Sequence, residues 1–384
     1  MEHTTSSESL DPRPPISIGM DIGGTFAKFV LFENDKPSSQ ATHLHKQHTR
    51  HPLETVIRKL TQTDTKDALP RGWISETLHF EAGAECGSVV LQMLAIPVLE
   101  LDRFVAKVEA IATDSTGSAR KSMRQRIAAT GGGALKRKDE LETRFGVDIV
   151  VVHEHQSLVR GWRQQLDTGG GCVEQQAALA LLCNVGTGVS IVHVTGTDAP
   201  GFERVSGSGI GASTLWSLIR RMTSFDNFEQ AVVASASSGD AQKADILVGD
   251  IYGVETSKAI GMPPDLVAGF LGKINDDSEL SDADVAAALV RMFASNLGQL
   301  AVFQARLLEL DTVWFTGGCF GSVGGTDDST QGQACLVVRK AVGQAVEFWS
   351  AGKITVRFPS SAPFLGAAGA VLEAAAAGGT GSPV

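Results

Sequence analysis

A short glycine turn near the start of the chain combines residue types that bind phosphate. Its candidate binding residues are Asp21, Gly23, Gly24, Thr25 and Lys28. Apolar segments at residues 16–22 and 26–32 flank the turn and predict two β-strands joined as a tight hairpin, for which the two glycines supply backbone freedom. Backbone N–H groups can approach a phosphate closely there, Lys28 can reach the same phosphate, and Asp21 can hold a metal ion through water. A hairpin with a purely structural role is the alternative.

A second glycine turn of the same form occurs in the other half of the chain. Its candidate binding residues are Asn184, Gly186, Thr187, Gly188 and Ser190, and predicted strands at residues 177–185 and 189–194 flank it. Two such turns facing each other would hold a triphosphate from both sides. A third glycine site, at Gly317 and Gly318, follows a predicted strand and offers exposed backbone to an adenosine. Each turn alone could be an ordinary loop, so the hypothesis depends on all three occurring together.

A carboxylate suited to act as a general base lies between these turns. Glu154 stands between His153 and His155, after a predicted buried strand at residues 147–152 and before a predicted helix at residues 156–166. Rigid elements would direct this carboxylate into a cleft, where partial burial raises the pKa of such a group. An acid that stabilises the helix N-terminus is the alternative. We expect neither histidine to bind metal, because no third ligand lies at helical spacing.

One arginine is placed to bind an anionic acceptor. Arg204 precedes the glycine-rich segment Gly207–Gly211, and its planar guanidinium matches the geometry of a carboxylate. A surface ion pair with Glu203 is the alternative. Phosphoryl transfer requires phosphate-binding groups, a metal ion and a base that deprotonates the acceptor, so the candidates together point to this chemistry.

Composition limits the possible classes of protein. The chain has 384 residues, of which 43% are hydrophobic and 20% charged, enough for two domains with separate cores. We expect no membrane span, because no uncharged apolar run is long enough, and no nucleic-acid partner, because the net charge is −10. Five widely spaced cysteines without a CxxC pair predict a reducing, cytoplasmic location.

Strands that alternate with helices predict an α/β protein with mixed sheets flanked by helices. We expect a disordered segment at residues 1–15, an N-terminal lobe at residues 16–175, a C-terminal lobe at residues 176–376 and a flexible tail at residues 377–384. Further predicted strands lie at residues 125–130 and 311–316, predicted helices at residues 135–145, 213–222, 283–308 and 362–376, and predicted loops at residues 166–173 and 322–333.

The chain resembles the eukaryotic-type, or type II, pantothenate kinases of the actin-like, sugar-kinase and heat-shock-chaperone ATPase superfamily. The matching segments occur in the family's order and span nearly the whole chain. They are Gly19–Thr25, Ala129–Ala134, Glu154 with Ser157–Gly161, Asn184–Ile191, Arg204–Gly207, Asp245–Gly253 and Phe364–Ala370.

This resemblance implies a two-lobed actin-like, or ribonuclease H-like, fold with ATP and Mg²⁺ between the lobes. It implies phosphorylation of pantothenate to 4′-phosphopantothenate, the first committed step of coenzyme A biosynthesis. In the family a glutamate matching Glu154 is the base and an arginine matching Arg204 holds pantothenate, while Thr187, Ser190 and Lys28 match substrate- or nucleotide-contacting positions. The resemblance further implies a homodimer inhibited by coenzyme A or acyl-coenzyme A.

Other functions stay open at this point. A sugar or N-acetylhexosamine kinase would share both glycine turns but normally uses an aspartate base, so Glu154 and Arg204 argue against it. A catalytically inactive regulator of the same fold that binds nucleotide or coenzyme A would not need these two residues. A structural actin-like polymer would have no use for the loop that follows Arg204.

Overall fold

The structure is a computed structural model of a chain that divides into two compact units. The first unit comprises Met1–Val173 with Phe364–Val384, and the second comprises Glu174–Pro363. The structure describes residues 16–34, 51–61, 73–81, 88–114, 124–168, 179–196, 201–275, 279–321, 329–359 and 361–377. The predicted disordered segment at residues 1–15 and the tail after residue 377 lie outside the described residues.

The strands and helices of the described residues are numbered in chain order. The strands are β1 (Ile18–Ile22), β2 (Phe26–Asn34), β3 (Ile74–Glu81), β4 (Ser88–Pro97), β5 (Gln125–Thr130), β6 (Val147–Val151), β7 (Ala180–Val185), β8 (Val189–Val194), β9 (Phe202–Ser208), β10 (Ile246–Leu247), β11 (Val267–Gly269), β12 (Thr312–Thr316) and β13 (Thr355–Arg357). The helices are α1 (Pro52–Thr61), α2 (Leu101–Asp114), α3 (Gly132–Lys136), α4 (Lys138–Phe145), α5 (Glu154–Thr168), α6 (Ala212–Met222), α7 (Phe228–Ser237), α8 (Val248–Tyr252), α9 (Val254–Ala259), α10 (Asp282–Leu307), α11 (Thr330–Ser350) and α12 (Leu365–Ala377).

The first unit is built on a six-stranded sheet in the order β3-β4-β2-β1-β5-β6. Strands β1, β2 and β4 are antiparallel, whereas β5 and β6 run parallel to β1. The core includes Phe29 of β2 and Phe104 of α2, whose ring centroids lie 4.8 Å apart. Helix α12 packs closely on β1, because a Cβ atom at Gly19 would lie only 2.0 Å from the Ala367 carbonyl oxygen.

The second unit is built on a five-stranded sheet in the order β13-β12-β7-β8-β9. Strands β7, β8 and β9 form an antiparallel meander, and β12 and β13 run parallel to β7. The same pattern of three antiparallel and two parallel strands occurs in the first unit as β4-β2-β1-β5-β6. The predicted α/β fold with mixed sheets flanked by helices is therefore confirmed, and the pattern occurs twice, as expected of a duplicated ribonuclease H-like fold.

Helix α10 is the central element of the second unit. Its Leu289, Phe293 and Leu297 belong to the same buried cluster as Leu181 of β7 and Val342 of α11. This helix is long and apolar enough to cross a membrane, but 61% of its apolar stretch is buried inside the protein. Burial of this extent is that of a core helix, and no other helix among the described residues meets the same criterion.

The N-terminus of α10 is held by hydrogen bonds to the buried carboxylate of Asp284. Ser281 caps the helix by accepting a hydrogen bond from the Asp284 amide, and the Asp284 carboxylate accepts one from the Ser281 amide. The Asp240 amide and the Lys243 ammonium group donate to the same carboxylate. Burial alone would raise the pKa of Asp284, but these hydrogen bonds outweigh it and lower the pKa to about 2.

The structure corrects several predictions in the first unit. Helix α12, predicted to lie in the C-terminal lobe, belongs to the first unit. The helix predicted at residues 135–145 is two helices, α3 and α4, that meet at Arg137, whose ψ angle of 13° is not helical. Strand β6 is not wholly buried: Val147 and Ile149 are buried, whereas Asp148 and Val151 are exposed, because β6 forms the edge of the sheet.

Two predicted loops contain helical residues. Helix α5 continues to Thr168, so residues 166–168 of the loop predicted at residues 166–173 are helical, and the other residues of that loop lie outside the described residues. Helix α11 begins at Thr330, where Ser329 caps it by accepting a hydrogen bond from the Gly332 amide. This cap shortens the loop predicted at residues 322–333.

Candidate active site

In the first unit, the two charged residues of the first glycine turn form an ion pair. Asp21 of β1 lies directly opposite Lys28 of β2 in the antiparallel ladder. Residues opposite each other in this way point to the same face of a sheet. The Lys28 Nζ atom lies 3.6 Å from Asp21 Oδ2, and each side chain is 18% exposed. A lysine held here can neutralise phosphate charge, and a carboxylate can hold a water-bound Mg²⁺ ion, which usually keeps several of its waters.

The first glycine turn is exposed and joins β1 to β2 as the predicted antiparallel hairpin. The Gly23 amide donates a hydrogen bond of 3.0 Å to the Phe26 carbonyl oxygen, and Gly23, Gly24 and Thr25 are exposed. Neither glycine has a positive φ, so the turn does not need their special backbone freedom. A Cβ atom at Gly23 would lie 3.8 Å from the nearest atom, an ordinary contact. The fold itself therefore does not require glycine at position 23, and the bare backbone leaves room for a ligand.

Helix α5 begins at Glu154, two residues before the predicted start at residue 156. The preceding segment is fixed by Thr130 of β5, whose hydroxyl donates to the Val152 carbonyl oxygen over 3.0 Å. The side chain retains contact with solvent. Desolvation by the surrounding protein, followed by the negative charge of Asp21, nevertheless raises the pKa of the Glu154 carboxyl, while Lys28 and His153 oppose the rise. A base with a raised pKa is better matched to deprotonating an alcohol near neutral pH.

The position of Glu154 also satisfies the structural alternative, because an acid in the first turn of a helix is favoured by the helix dipole. That interaction would lower the pKa of Glu154, whereas the net effect is a rise. The adjacent His153 and His155 lie with ring centroids 5.5 Å apart. Among the described residues, no group of three or more His, Cys, Asp or Glu side chains is arranged to hold a metal ion.

In the second unit, the second glycine turn is held against the N-terminus of α6. The Gly186 amide donates to the Gly188 carbonyl oxygen over 2.8 Å, and the Gly186 carbonyl oxygen accepts from the Ala212 amide over 2.9 Å. A Cβ atom at Gly211 would lie 2.4 Å from the Thr187 carbonyl oxygen, so the two segments touch through their backbones. Gly186 and Thr187 are exposed, and no atom lies within 4 Å of a Cβ built at Gly186. The turn is therefore fixed in place with its outer surface open.

The other residues predicted around this turn lie on the same pair of strands. Asn184 of β7 is opposite Ser190 of β8 and is half-buried. A Cβ atom at Gly188 would lie 2.9 Å from the Ser208 carbonyl oxygen, so this glycine is required by the close approach of β9.

Arg204 of β9 contacts Ser190 of β8. The Arg204 Nε atom donates to the Ser190 hydroxyl over 3.4 Å, and the guanidinium is exposed. It lies close to Gly207 of β9, where a Cβ atom would come within 2.4 Å of Arg204 Nη2. No ion pair joins Arg204 to Glu203 in the described structure, since neighbouring residues on a strand point to opposite faces. The guanidinium can therefore bind a carboxylate from solution.

The third glycine site differs from its prediction. Gly317 is buried, with a φ of +125°, and a Cβ atom there would lie 2.0 Å from the Val185 carbonyl oxygen. The packing of β12 on β7 thus accounts for this glycine without an adenosine. Gly318, which starts a 3-10 turn, is only partly buried and has open space around it. Of the two predicted residues, Gly318 alone offers accessible backbone.

The predicted residues therefore form one group in each unit. The first unit groups the first glycine turn with Asp21, Lys28 and Glu154, and the second groups the second glycine turn with Ser190 and Arg204. The sequence analysis assigned no role to Gly131, Gly207 or Gly366, which contact Asp21 or Arg204. All three belong to the segments that carry the family resemblance, but a glycine's steric role depends on tertiary contacts that its motif does not contain.

Comparison with known proteins identifies the family. The Fumble family model matches residues 17–169 and 173–373. The chain belongs to the Fumble family. This is the type II pantothenate kinase family that the motifs indicated.

Individual relatives share less of the chain. It is 35% identical to pantothenate kinase 2 of Oryza sativa subsp. japonica over 265 residues. This aligned region covers 64% of this chain and 28% of the rice protein. The chain is 24% identical over 396 residues to pantothenate kinase of Schizosaccharomyces pombe, covering 96% and 84%. It is also 32% identical over 270 residues to 4′-phosphopantetheine phosphatase of Mus musculus, covering 65% and 30%. The chain thus spans less than a third of the rice relative that it matches.

Proposed function

We propose that this protein is an ATP-dependent pantothenate kinase that converts pantothenate to 4′-phosphopantothenate. The observation that carries the proposal is the grouping of Asp21, Lys28 and Glu154 beside an exposed glycine turn. Membership of the Fumble family supports the choice of substrate. The alternative of a sugar kinase has no comparable support, because Glu154 and Arg204 match the pantothenate kinase pattern.

Each residue then has a separate task in phosphoryl transfer. Glu154 accepts the proton of the terminal hydroxyl of pantothenate as that oxygen attacks the γ-phosphorus of ATP, the bond from this phosphorus to the β,γ-bridging oxygen breaks, and ADP leaves. Lys28 and the two glycine turns hold the phosphates of ATP, and Arg204 binds the carboxylate of pantothenate at the other end of the molecule. A bound Mg²⁺ ion would neutralise developing charge on the phosphates, and Asp21 would hold its waters.

Three further properties are proposed from family membership alone. We propose that the protein is a homodimer, that coenzyme A or acyl-coenzyme A inhibits it, and that it is located in the cytoplasm. An inactive regulator that binds nucleotide or coenzyme A is the alternative, and the presence of both Glu154 and Arg204 argues against it.

A coupled assay tests the activity directly. Purified protein is incubated with ATP, Mg²⁺ and either pantothenate, glucose or N-acetylglucosamine, and ADP release is followed while the product is identified by mass spectrometry. We expect phosphopantothenate, and no turnover of either sugar. Phosphorylation of a sugar with pantothenate untouched would refute the proposal, and nucleotide binding without any turnover would favour the inactive regulator.

A further inference from the structure

The side chain of Asp21 lies between two glycines of the first unit that are distant in sequence. A Cβ atom built at Gly366, the second residue of α12, would lie 2.8 Å from Asp21 Oδ2. A Cβ atom built at Gly131 would lie 2.7 Å from Asp21 Oδ1. Real Cβ atoms do not approach oxygen atoms this closely, so the carboxylate occupies a slot that only glycine permits on either side. We call Gly131 and Gly366 the glycine slot.

The two glycines differ in what the backbone demands of them. Gly131 has a φ of +85°, and its Cβ would also lie 2.6 Å from the Ile22 carbonyl oxygen, so the backbone requires glycine there in any case. Gly366 lies in a helix and does not have a positive φ. Its three nearest atoms would all belong to Asp21: Oδ2 at 2.8 Å, Cγ at 3.3 Å and Cβ at 3.6 Å.

Gly366 is in the first turn of α12, where alanine would still lose less conformational entropy on folding than glycine does. Nothing in the backbone of α12 accounts for glycine at position 366. The atom that an alanine would displace first is the end of a flexible carboxylate side chain, which can rotate at low cost. Substitution would therefore move Asp21 while leaving the helix in place, and would separate Oδ2 from the Lys28 ammonium group that lies 3.6 Å away.

We propose that Gly366 is a positioning residue that fixes the Asp21 carboxylate in the orientation needed to bind Mg²⁺-ATP. The proposal rests on the function proposed above, because it takes Asp21 and Lys28 to be nucleotide-binding residues. The C-terminal helix thereby contributes to the nucleotide site without placing a side chain in it.

The test compares Gly366→Ala with Gly343→Ala. Gly343 is a glycine of α11, and a Cβ atom there meets nothing within 4 Å, so it controls for the general effect of alanine in a helix. We expect both variants to melt within about 3 °C of the wild type, because alanine costs neither helix stability. Isothermal titration should show Mg²⁺-ATP binding weakened about tenfold or more in Gly366→Ala alone, the loss expected of one hydrogen bond to a charged group.

A crystal structure of Gly366→Ala supplies a readout that does not depend on activity. We expect the Asp21 carboxylate to be rotated, with Lys28 Nζ more than 4 Å from it and α12 unmoved. An unmoved carboxylate, or Mg²⁺-ATP affinity equal to that of Gly343→Ala, would overturn the inference. If the wild type binds Mg²⁺-ATP but does not phosphorylate pantothenate, the proposed substrate is wrong, and the comparison of the variants still decides the role of Gly366.

Discussion

Replacing Gly186 with alanine should separate the requirements of the fold from those of the nucleotide. Gly186 is exposed at the tip of the second glycine turn, it does not have a positive φ, and a Cβ atom there meets nothing within 4 Å. The folded state can therefore accept a methyl group without strain. Because alanine restricts the unfolded chain more than glycine does, the free energy of unfolding should rise by about 0.4–1 kcal/mol. For a unit of this size, that is a rise in melting temperature of about 1–4 °C.

The same methyl group should weaken nucleotide binding. It would occupy the space in which we place the phosphates, and would hold them away from the turn. Each hydrogen bond lost to a charged phosphate costs about 1.5–3 kcal/mol, so the dissociation constant for ATP should rise about 10- to 150-fold. The variant would be more stable and bind less well, a combination that general damage to the fold does not produce.

Differential scanning fluorimetry and isothermal titration with Mg²⁺-ATP measure the two effects. Gly211→Ala is the matched control for a glycine that the fold requires, because its Cβ would lie 2.4 Å from the Thr187 carbonyl oxygen. It should lower both stability and affinity. If Gly186→Ala binds ATP as tightly as the wild type, the second glycine turn does not hold the phosphates. If Gly186→Ala has a lower melting temperature than the wild type, the second glycine turn does not have the open space around Gly186 that we describe.

Three further changes test other parts of the protein. Glu154→Gln should lower kcat about 10²- to 10⁴-fold with little change in ATP affinity, since it removes only the base. Because the pKa of Glu154 is raised, the acid limb of the wild-type kcat/KM profile should lie above pH 4.5. Arg204→Lys should raise the KM for pantothenate about tenfold, because an ammonium group cannot form the planar fork. Asp284→Asn should reduce the free energy of unfolding by about 2 kcal/mol at pH 7, the energy of lowering its pKa from 3.8 to about 2.

The two pKa shifts have opposite consequences for stability. The folded pKa of Glu154 is raised, so its contribution to stability is complete at low pH and is lost as the pH rises through the folded value. Glu154→Gln should therefore be more stable than the wild type at pH 7 but not at pH 4. The folded pKa of Asp284 is lowered, so its contribution is complete above pH 3.8 and is lost as the pH falls towards 2. Identical acid unfolding curves for the wild type and Asp284→Asn would contradict the role given to that carboxylate.

The sequence predicted the two hairpins because their apolar segments are interrupted only by a glycine turn. Strands β1, β2 and β8 were located to within a few residues for this reason, and the apolar helical spacing located α10 to within one residue at each end. No element was predicted between residues 33 and 124, where the structure has α1, β3, β4 and α2. A short apolar run such as β4 does not by itself distinguish a strand from part of a buried helix, and only its pairing with β2 decides it.

The sequence did not predict the contacts between segments that are distant along the chain, for a different physical reason. The sequence predicted a helix at residues 362–376, but not that this helix, α12, would pack on β1 at the opposite end of the chain. At Gly161 and Gly369 the backbones of α5 and α12 touch: a Cβ at Gly369 would lie 1.7 Å from the Ser157 carbonyl oxygen. Such a contact depends on both partners, and neither segment alone specifies it.

Steric clearance distinguishes two classes among the described glycines. At Gly317 and Gly369 an added methyl group would meet backbone atoms, so the fold alone explains the residue. At Gly23 and Gly186 it would meet no closer than ordinary contact, so the folded chain would gain stability from alanine. Open space around a glycine, which Gly343 also has, does not by itself indicate a ligand, so the location of these two glycines matters. Both of these glycines lie at exposed turns of matching hairpins, one in each repeat of the five-strand pattern, and bare backbone is what a phosphate needs at such a turn. This argues for a nucleotide site independently of the family's name.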